Sequence, residues 1–299
     1  MQPGPPKRSD FVDVDGRRLH VARWGDPRQP PIILLHGMRD HARSWDWIAS
    51  ALEDRYHVIA PDLRGHGDSE WADAASYTLA AFVLDLADVV AALGLERFAL
   101  VGHSLGGVIA VRYAATFPEQ VRVLCGIESI ELPIVRDQMA EPKTYPVRLR
   151  HWVDAERARR RRQVRTYATV DEAVQRMRDG QPTLDDATIR HLTEHALDRD
   201  ADGGWHWKYD NAARLRPPDD ASGHDLDAAL TAISCPTLLF YGDASWIPVP
   251  SKERLDRIPN CGIRIFAGAS HWLHHEQREA FLADLTPFLA MPTERPIHA

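Results

Sequence analysis

The chain of 299 residues predicts an α/β fold, a mostly parallel eight-stranded sheet flanked by helices, with an α-helical cap inserted before the last strands. Three observations carry this. Short, wholly apolar runs such as Ile32–Leu35 and Phe98–Val101 suit strands buried on both faces. Those runs alternate with helical patterns, which implies parallel pairing through crossover helices. From about Pro133 to Gly223 amphipathic helical patterns rich in arginine take over and no convincing strand is found. The expected division is a first core part over 1–134, a cap over 135–223 and a second core part over 224–299.

In chain order, Phe11–Val14 and Leu19–Trp24 flank Asp15-Gly16, the signature of an antiparallel hairpin with a primed turn. Pro30 and Pro31 introduce the strand Ile32–Leu35, which ends in His36-Gly37-Met38. Ser44–Leu52 reads as a helix with Ser44 as its N-cap, and Tyr56–Ala60 as the next strand. Ser76 or Thr78 can cap a helix whose apolar stripe runs Leu79, Phe82, Val83, Leu86, Val89, Val90 and Leu93, with Gly94 as its stop. The strand from Phe98 and the helix through Ala110 and Ala114 follow, then a strand over Val121–Ile127. Cap helices are expected at Arg148–Val164, Asp171–Arg178 and Asp185–Leu197. Strands return at Pro236–Tyr241 and Ile263–Phe266, a helix spans Glu276–Leu289, and the tail after Met291 reads as unstructured.

A net charge of −7 argues against a polyanion such as nucleic acid as partner. The arginine run Arg157–Arg162 is surrounded by acidic residues in a chain of negative net charge and reads as a solvated helix face. No apolar run reaches membrane-spanning length, and the first residues carry no apolar segment behind Lys7 and Arg8, so they read as a loose tail and not a signal peptide. Cys125, Cys235 and Cys261 are far apart and odd in number, which predicts free thiols and a cytoplasmic protein, monomer or homodimer.

Chemistry concentrates at Gly102-His103-Ser104-Leu105-Gly106-Gly107, set between a strand and a helix. A turn that tight leaves no room for side chains two residues before and after the serine, and it exposes the serine hydroxyl at a helix N-terminus. A serine hydroxyl becomes nucleophilic when a base takes its proton and a third group orients that base. The base is expected at His271, in the short loop after the last strand, with His274 and His275 as its rivals. Leu105, directly after the nucleophile, offers a backbone N–H to an oxyanion, and the loop after Ile32–Leu35 offers a second.

With His36-Gly37, Gly102–Gly107 and Ser270-His271-Trp272, the chain resembles the α/β-hydrolase superfamily over nearly its whole length. The resemblance implies that Met38 is the second oxyanion donor. It also implies that Pro61–Ser69, with Asp62, His66 and Asp68, is turn structure and not a metal site. His36 is then expected to fix its loop by hydrogen bonding. In the superfamily the acid usually stands three residues after Gly242, where this chain has Ser245, which cannot carry the charge. Glu128, at the end of Val121–Ile127, and Asp243 remain, with Glu131 a weaker third. Some branches, haloalkane dehalogenases among them, place the acid after this earlier strand, and a strand end facing the site is a poor place for an unpaired charge, so Glu128 is preferred. The Gly203–Asp210 segment with Arg214-Leu215 resembles the serine hydrolase-like branch, and its Trp205 and Trp207 either line an acyl pocket or pack the cap on the core.

These features together predict a cofactor-free serine hydrolase of a small-molecule ester or thioester, without metal, working through an acyl-enzyme on Ser104. Carbon–carbon bond hydrolysis, acyl transfer or perhydrolysis could run on the same residues. A non-catalytic ligand-binding protein is the competing class, supported by Ser245 alone.

Overall fold

The computed structural model describes residues 3–130, 144–215, 217–218 and 223–291. The first expected cap border at 134–135, Glu131 and the tail after Met291 lie outside these residues.

Eight strands form one sheet: β1 (Arg8–Val14), β2 (Arg17–Trp24), β3 (Pro31–Leu35), β4 (His57–Pro61), β5 (Phe98–His103), β6 (Val121–Ile127), β9 (Thr237–Gly242) and β10 (Cys261–Phe266). Their spatial order is β1-β2-β4-β3-β5-β6-β9-β10. The β1–β2 and β2–β4 pairings are antiparallel, and every later pairing is parallel. Asp15 and Gly16 both have positive φ, as the primed hairpin turn requires.

The apolar strands serve two cores at once. On β3, Ile33 and Leu35 face one cluster while Ile32 and Leu34 face the other. Phe98 and Leu100 on β5 likewise oppose Ala99 and Val101. One core is covered by α2 (Leu79–Ala92) and α3 (Leu105–Thr116). The other is covered by α1 (Asp46–Leu52) and by the C-terminal helix, whose Phe281, Leu285 and Leu289 are buried. Cys125 and Cys235 are buried free thiols, and Cys261 is a half-buried one.

Thr78 caps α2, its hydroxyl accepting from the Ala81 amide, and Gly94 leaves the helix at φ 63°. Ser44 does not cap α1. A 3-10 turn over Ala42–Trp45 precedes the helix, so Trp45 takes the N-cap position and Ser44 lies inside the turn.

Between β6 and β9 lie α4 (Tyr145–Arg160), α5 (Val170–Gly180) and α6 (Asp186–Ala196). The expectation that this stretch lacks strands is corrected: β7 (Leu197–Arg199) and β8 (Trp205–Trp207) pair as a small antiparallel hairpin. Three-residue strands are too short to show alternation in sequence, and Tyr167 bridges to Trp205 from outside. Before β9 stands α7 (Gly223–Ala232). After β9 come α8 (Lys252–Leu255), α9 (Leu273–Glu276) and α10 (Arg278–Leu289), the last two separated at Gln277.

The inserted elements sit on the core through polar contacts. Tyr77 donates its hydroxyl to Asp210 at 2.9 Å, Lys208 pairs with Asp68 at 2.6 Å, and His41 Nε2 contacts the Leu192 carbonyl at 2.9 Å.

Candidate active site

The chain leaves β3 toward one edge of the sheet and β5 toward the other, so the strand order reverses between these neighbours. Open parallel sheets form a crevice at the carboxyl ends of such strands. Register aligns the residues that follow: Leu35 pairs with Gly102, His103 with Ile127, and Ile127 with Phe240. Ser104, Glu128 and the Tyr241–Ser245 loop therefore emerge at one level.

Ser104 stands at φ 51°, ψ −116°, a strained backbone held between β5 and α3. The flanking glycines are required by contact. A Cβ on Gly102 would lie 2.5 Å from the Gly106 carbonyl oxygen, and one on Gly106 would lie 2.3 Å from that of Leu35. This close crossing of α3 over β3 and β5 lifts the serine into the crevice. A Cβ on Gly37 would come 3.3 Å from the Ser104 Cβ, so the His36–Met38 loop lies against the serine. The loop is fixed by His36, whose Nε2 accepts from the Leu63 amide at 3.0 Å while Nδ1 donates to the Gly37 carbonyl at 2.8 Å.

Glu128 also has a left-handed backbone, φ 50°, and is completely buried. Its Oε2 lies 2.7 Å from His271 Nδ1 and accepts from the Ser245 hydroxyl at 2.5 Å. Its Oε1 accepts from the Gly242 amide at 2.9 Å. The Ser245 oxygen itself accepts from the Ile247 amide, which aims its proton at Glu128. The residue in the usual acid position thus hydrogen-bonds to a carboxylate arriving from the neighbouring strand. Asp243 is exposed and accepts from the Gly268 amide at 2.6 Å, away from His271.

His271 and Ser104 are 3% and 6% exposed and line one cavity of about 400 Å³. Burial pushes the Glu128 carboxyl up to about 7, against the opposing hydrogen bonds from Ser245 and Gly242. Burial pushes the His271 imidazole down to about 4. A neutral imidazole that donates Nδ1–H to Glu128 leaves Nε2 as an acceptor. His103 Nε2 contacts the His271 carbonyl at 2.9 Å and holds the loop from below. His274 and His275 are buried on α9, outside the cavity lining, with His274 against Trp45 and His103.

Met38 lines the cavity, and Leu105 is the first residue of α3, beside it. Trp207 lines it too. Trp205 does not; it faces the Arg199 guanidinium on the hairpin. Further walls come from Met177, Leu184 and Leu192 of the inserted segment and from Trp246 and Trp272, which flank the His271 ring at 4.8 and 4.9 Å. Sequence reasoning missed Arg39, Tyr209, Arg176 and Arg214 as cavity residues. Only Tyr209 and Arg214 carried a signal, through the segment they share with Trp207.

The Pro61–Ser69 stretch is a tightly tied turn. Arg64 makes a bidentate pair with Asp85, and the Asp62 carboxylate accepts from His20, the Ala42 amide and the Asp68 amide. Burial alone would raise the Asp62 carboxyl, but those partners hold it well below the usual range. A second group, Asp46 with His191 and His195, has both carboxylate oxygens already taken by Arg43.

Comparison with known proteins finds hydrolases of the same fold. Human serine hydrolase-like protein is 36% identical over 129 residues, 42% of this chain and 64% of that protein. An uncharacterized protein of Mycobacterium tuberculosis is 42% identical over 118 residues, 39% of this chain. The chain spans only a third of that relative's length. A solved esterase from Mycobacterium tuberculosis superposes with a TM-score of 0.76 at 26% identity, covering 96% of this chain and 93% of the other. The model of the alpha/beta hydrolase family matches residues 32–285, from β3 into the C-terminal helix, and the chain belongs to that family.

Proposed function

We propose that the chain is a serine hydrolase that cleaves a carboxylic ester or thioester through an acyl-enzyme on Ser104. The observation that carries this reading is the buried Glu128–His271 contact of 2.7 Å beside a strained serine at a strand-to-helix turn. In the proposed cycle His271 Nε2 takes the Ser104 proton as Oγ attacks the substrate carbonyl carbon. The backbone amides of Met38 and Leu105 receive the developing oxyanion, aided by the positive end of α3. The bond to the leaving alkoxide or thiolate breaks, and His271 returns the proton to that group. Water then attacks the acyl-enzyme, gives a proton to His271 and releases the acid, and Ser104 regains its proton. Glu128 orients His271 and balances the imidazolium formed in each half.

Residues 135–223 are proposed as a cap, since Met177, Leu184, Leu192 and Trp207 complete the cavity over Ser104. A cavity of about 400 Å³ suits a small acyl group. The likeness to a solved esterase supports ester hydrolysis over carbon–carbon bond hydrolysis, acyl transfer and perhydrolysis. The ligand-binding reading rested on Ser245, and Glu128 supplies the carboxylate that Ser245 lacks. A fluorophosphonate probe is expected to label the folded protein and to leave Ser104→Ala unlabelled. Absence of labelling in the folded wild type would sink the proposal.

A further inference from the structure

The protein is acidic overall, with a net charge of −7, yet the mouth of the Ser104 cavity is cationic. Arg39, Arg176 and Arg214 line it together with Trp207 and Tyr209. The same five residues form one wall of an adjoining cavity of about 560 Å³. Arg162 and Arg165 stand on its far side. The two spaces are therefore neighbours sharing an arginine-and-aromatic wall.

Among the described residues none of these five arginines has a carboxylate within 4 Å. Other arginines of the inserted segment do pair: Arg159 and Arg160 with Glu156, Arg178 with Asp186, Arg190 with Asp171. The reading of Arg157–Arg162 as only a solvated face is thus incomplete, because Arg162 turns to the cavity. The two carboxylates on these walls are otherwise engaged. Asp210 accepts from Tyr77 and the Ala212 amide, and the Asp40 carboxyl is pushed up by burial toward its neutral form.

Assembling these cations costs free energy. Arg39 is held at φ 63° with its guanidinium 5.1 Å from the Tyr209 ring, and among the described residues only the Asn211 amide oxygen, at 3.4 Å, accepts from it. Burial, with repulsion from Arg214 and Arg176, lowers its guanidinium from the ordinary value. The five arginines are exposed, and like charges gathered with no counter-charge among the described residues are relieved by an anion, for which guanidinium offers the fork that fits an oxyanion.

We propose that these joined cavities form an anion subsite that holds a carboxylate or phosphate group carried by the substrate, whose ester or thioester carbonyl lies at Ser104. The statement rests on the serine hydrolase reading for the scissile bond, while the anion site itself does not. Trp207 and Tyr209, near-parallel at 6.2 Å, wall the path between the two groups.

Two matched substrate pairs and one binding measurement test it. The pairs are mono-p-nitrophenyl adipate against p-nitrophenyl hexanoate, and hexanoyl-coenzyme A against hexanoyl-N-acetylcysteamine. The anionic member of at least one pair is expected to have a kcat/KM about tenfold higher or more, and the Arg176→Gln/Arg214→Gln double variant collapses that ratio toward one. Both arginines are exposed, so the variant is expected to melt as the wild type does. Preference in the first pair assigns a carboxylate, and in the second a phosphate. Ratios below threefold in both pairs, or a preference that survives the double variant, overturn the subsite. Isothermal titration with adipate and with coenzyme A needs no turnover: binding by wild type that is lost in the variant supports the subsite even if no ester is cleaved. Cleavage of neutral esters with neither anion bound nor preferred leaves the hydrolase reading standing and removes this one.

Discussion

At the residue scale the proposed triad departs from the usual pattern in its acid, and three side chains carry the consequences. Glu128→Gln keeps the shape but loses the charge facing His271, so kcat is expected to fall by about 10³–10⁴, as in other triads that lose their acid. Asp243→Asn, which touches only the Gly268 amide, is expected to stay within about twofold of wild type. The reverse ranking in steady-state assays would refute the assignment. Proton linkage gives a second test. Burial lowers His271, so the base stays neutral at a pH where an ordinary histidine is charged, whereas Glu128 is raised to about 7 and gains its proton as pH falls through that value. The acid limb of kcat/KM is therefore expected near 7, set by Glu128 within the pair. Ser245→Ala removes a donor to the carboxylate form, raises Glu128 further and should move that limb to higher pH. An unmoved limb would count against Ser245 as the tuning partner. The placing of Ser104 and His271 at one sheet edge was legible in the sequence, because Ser104 follows β5 directly and His271 lies in the short loop after β10. For the acid the sequence only inclined toward Glu128, since Glu128 and Asp243 both follow strand ends and it is burial and the contact with His271 that separate them in the fold. A glutamate at φ 50° leaves no mark in sequence.

Among the elements, the crossing of α3 over β3 and β5 is the tightest contact behind the site. Gly106→Ala would drive a Cβ to 2.3 Å from the Leu35 carbonyl oxygen, where neither backbone can yield cheaply. A loss of about 3 kcal/mol or more is expected by denaturant titration, together with loss of probe labelling. A variant as stable as wild type would mean that the crossing relaxes. The inserted segment is held more loosely: Tyr77→Phe removes two hydrogen bonds, to Asp210 and from the Ala72 amide, and about 1–3 kcal/mol is expected. The long elements were legible because their periodicity is sustained, as in the apolar stripe of α2 capped by Thr78. The β7–β8 hairpin was not, because three residues give no period and its partner Tyr167 is remote in sequence. The N-terminus of α1 was misplaced because a 3-10 turn consumed the capping serine.

For the whole molecule, charge distribution matters more than charge total. A net −7 repels anions at long range, while the five arginines, without a carboxylate partner among the described residues, attract them locally. Raising ionic strength screens both, and contacts between exposed charges are screened strongly. The anionic-over-neutral substrate ratio is thus expected to shrink with salt while the neutral substrate barely responds, measurable across a potassium chloride series. A salt-independent ratio would point to shape and not charge. No single stretch of sequence announced this feature: Arg39 comes from the loop after β3, Arg176 from α5 and Arg214 from the turn before α7, and only the fold brings them together. Among the described residues no helix is long and apolar enough to cross a membrane.

The contact between Ser245 and Glu128 bears on how such a site can change over descent. Two strand ends share one imidazole, and their side chains already touch. A chain bearing Glu128 with an aspartate at 245 would set two carboxylates around one proton, which shifts its working pH upward but leaves a charge behind His271 throughout. Either carboxylate could then be lost without passing through an inactive ancestor. The proposed acid thus occupies a position that can migrate, while the proposed nucleophile, pinned by backbone crossings that admit no side chain, has no neighbouring place to go.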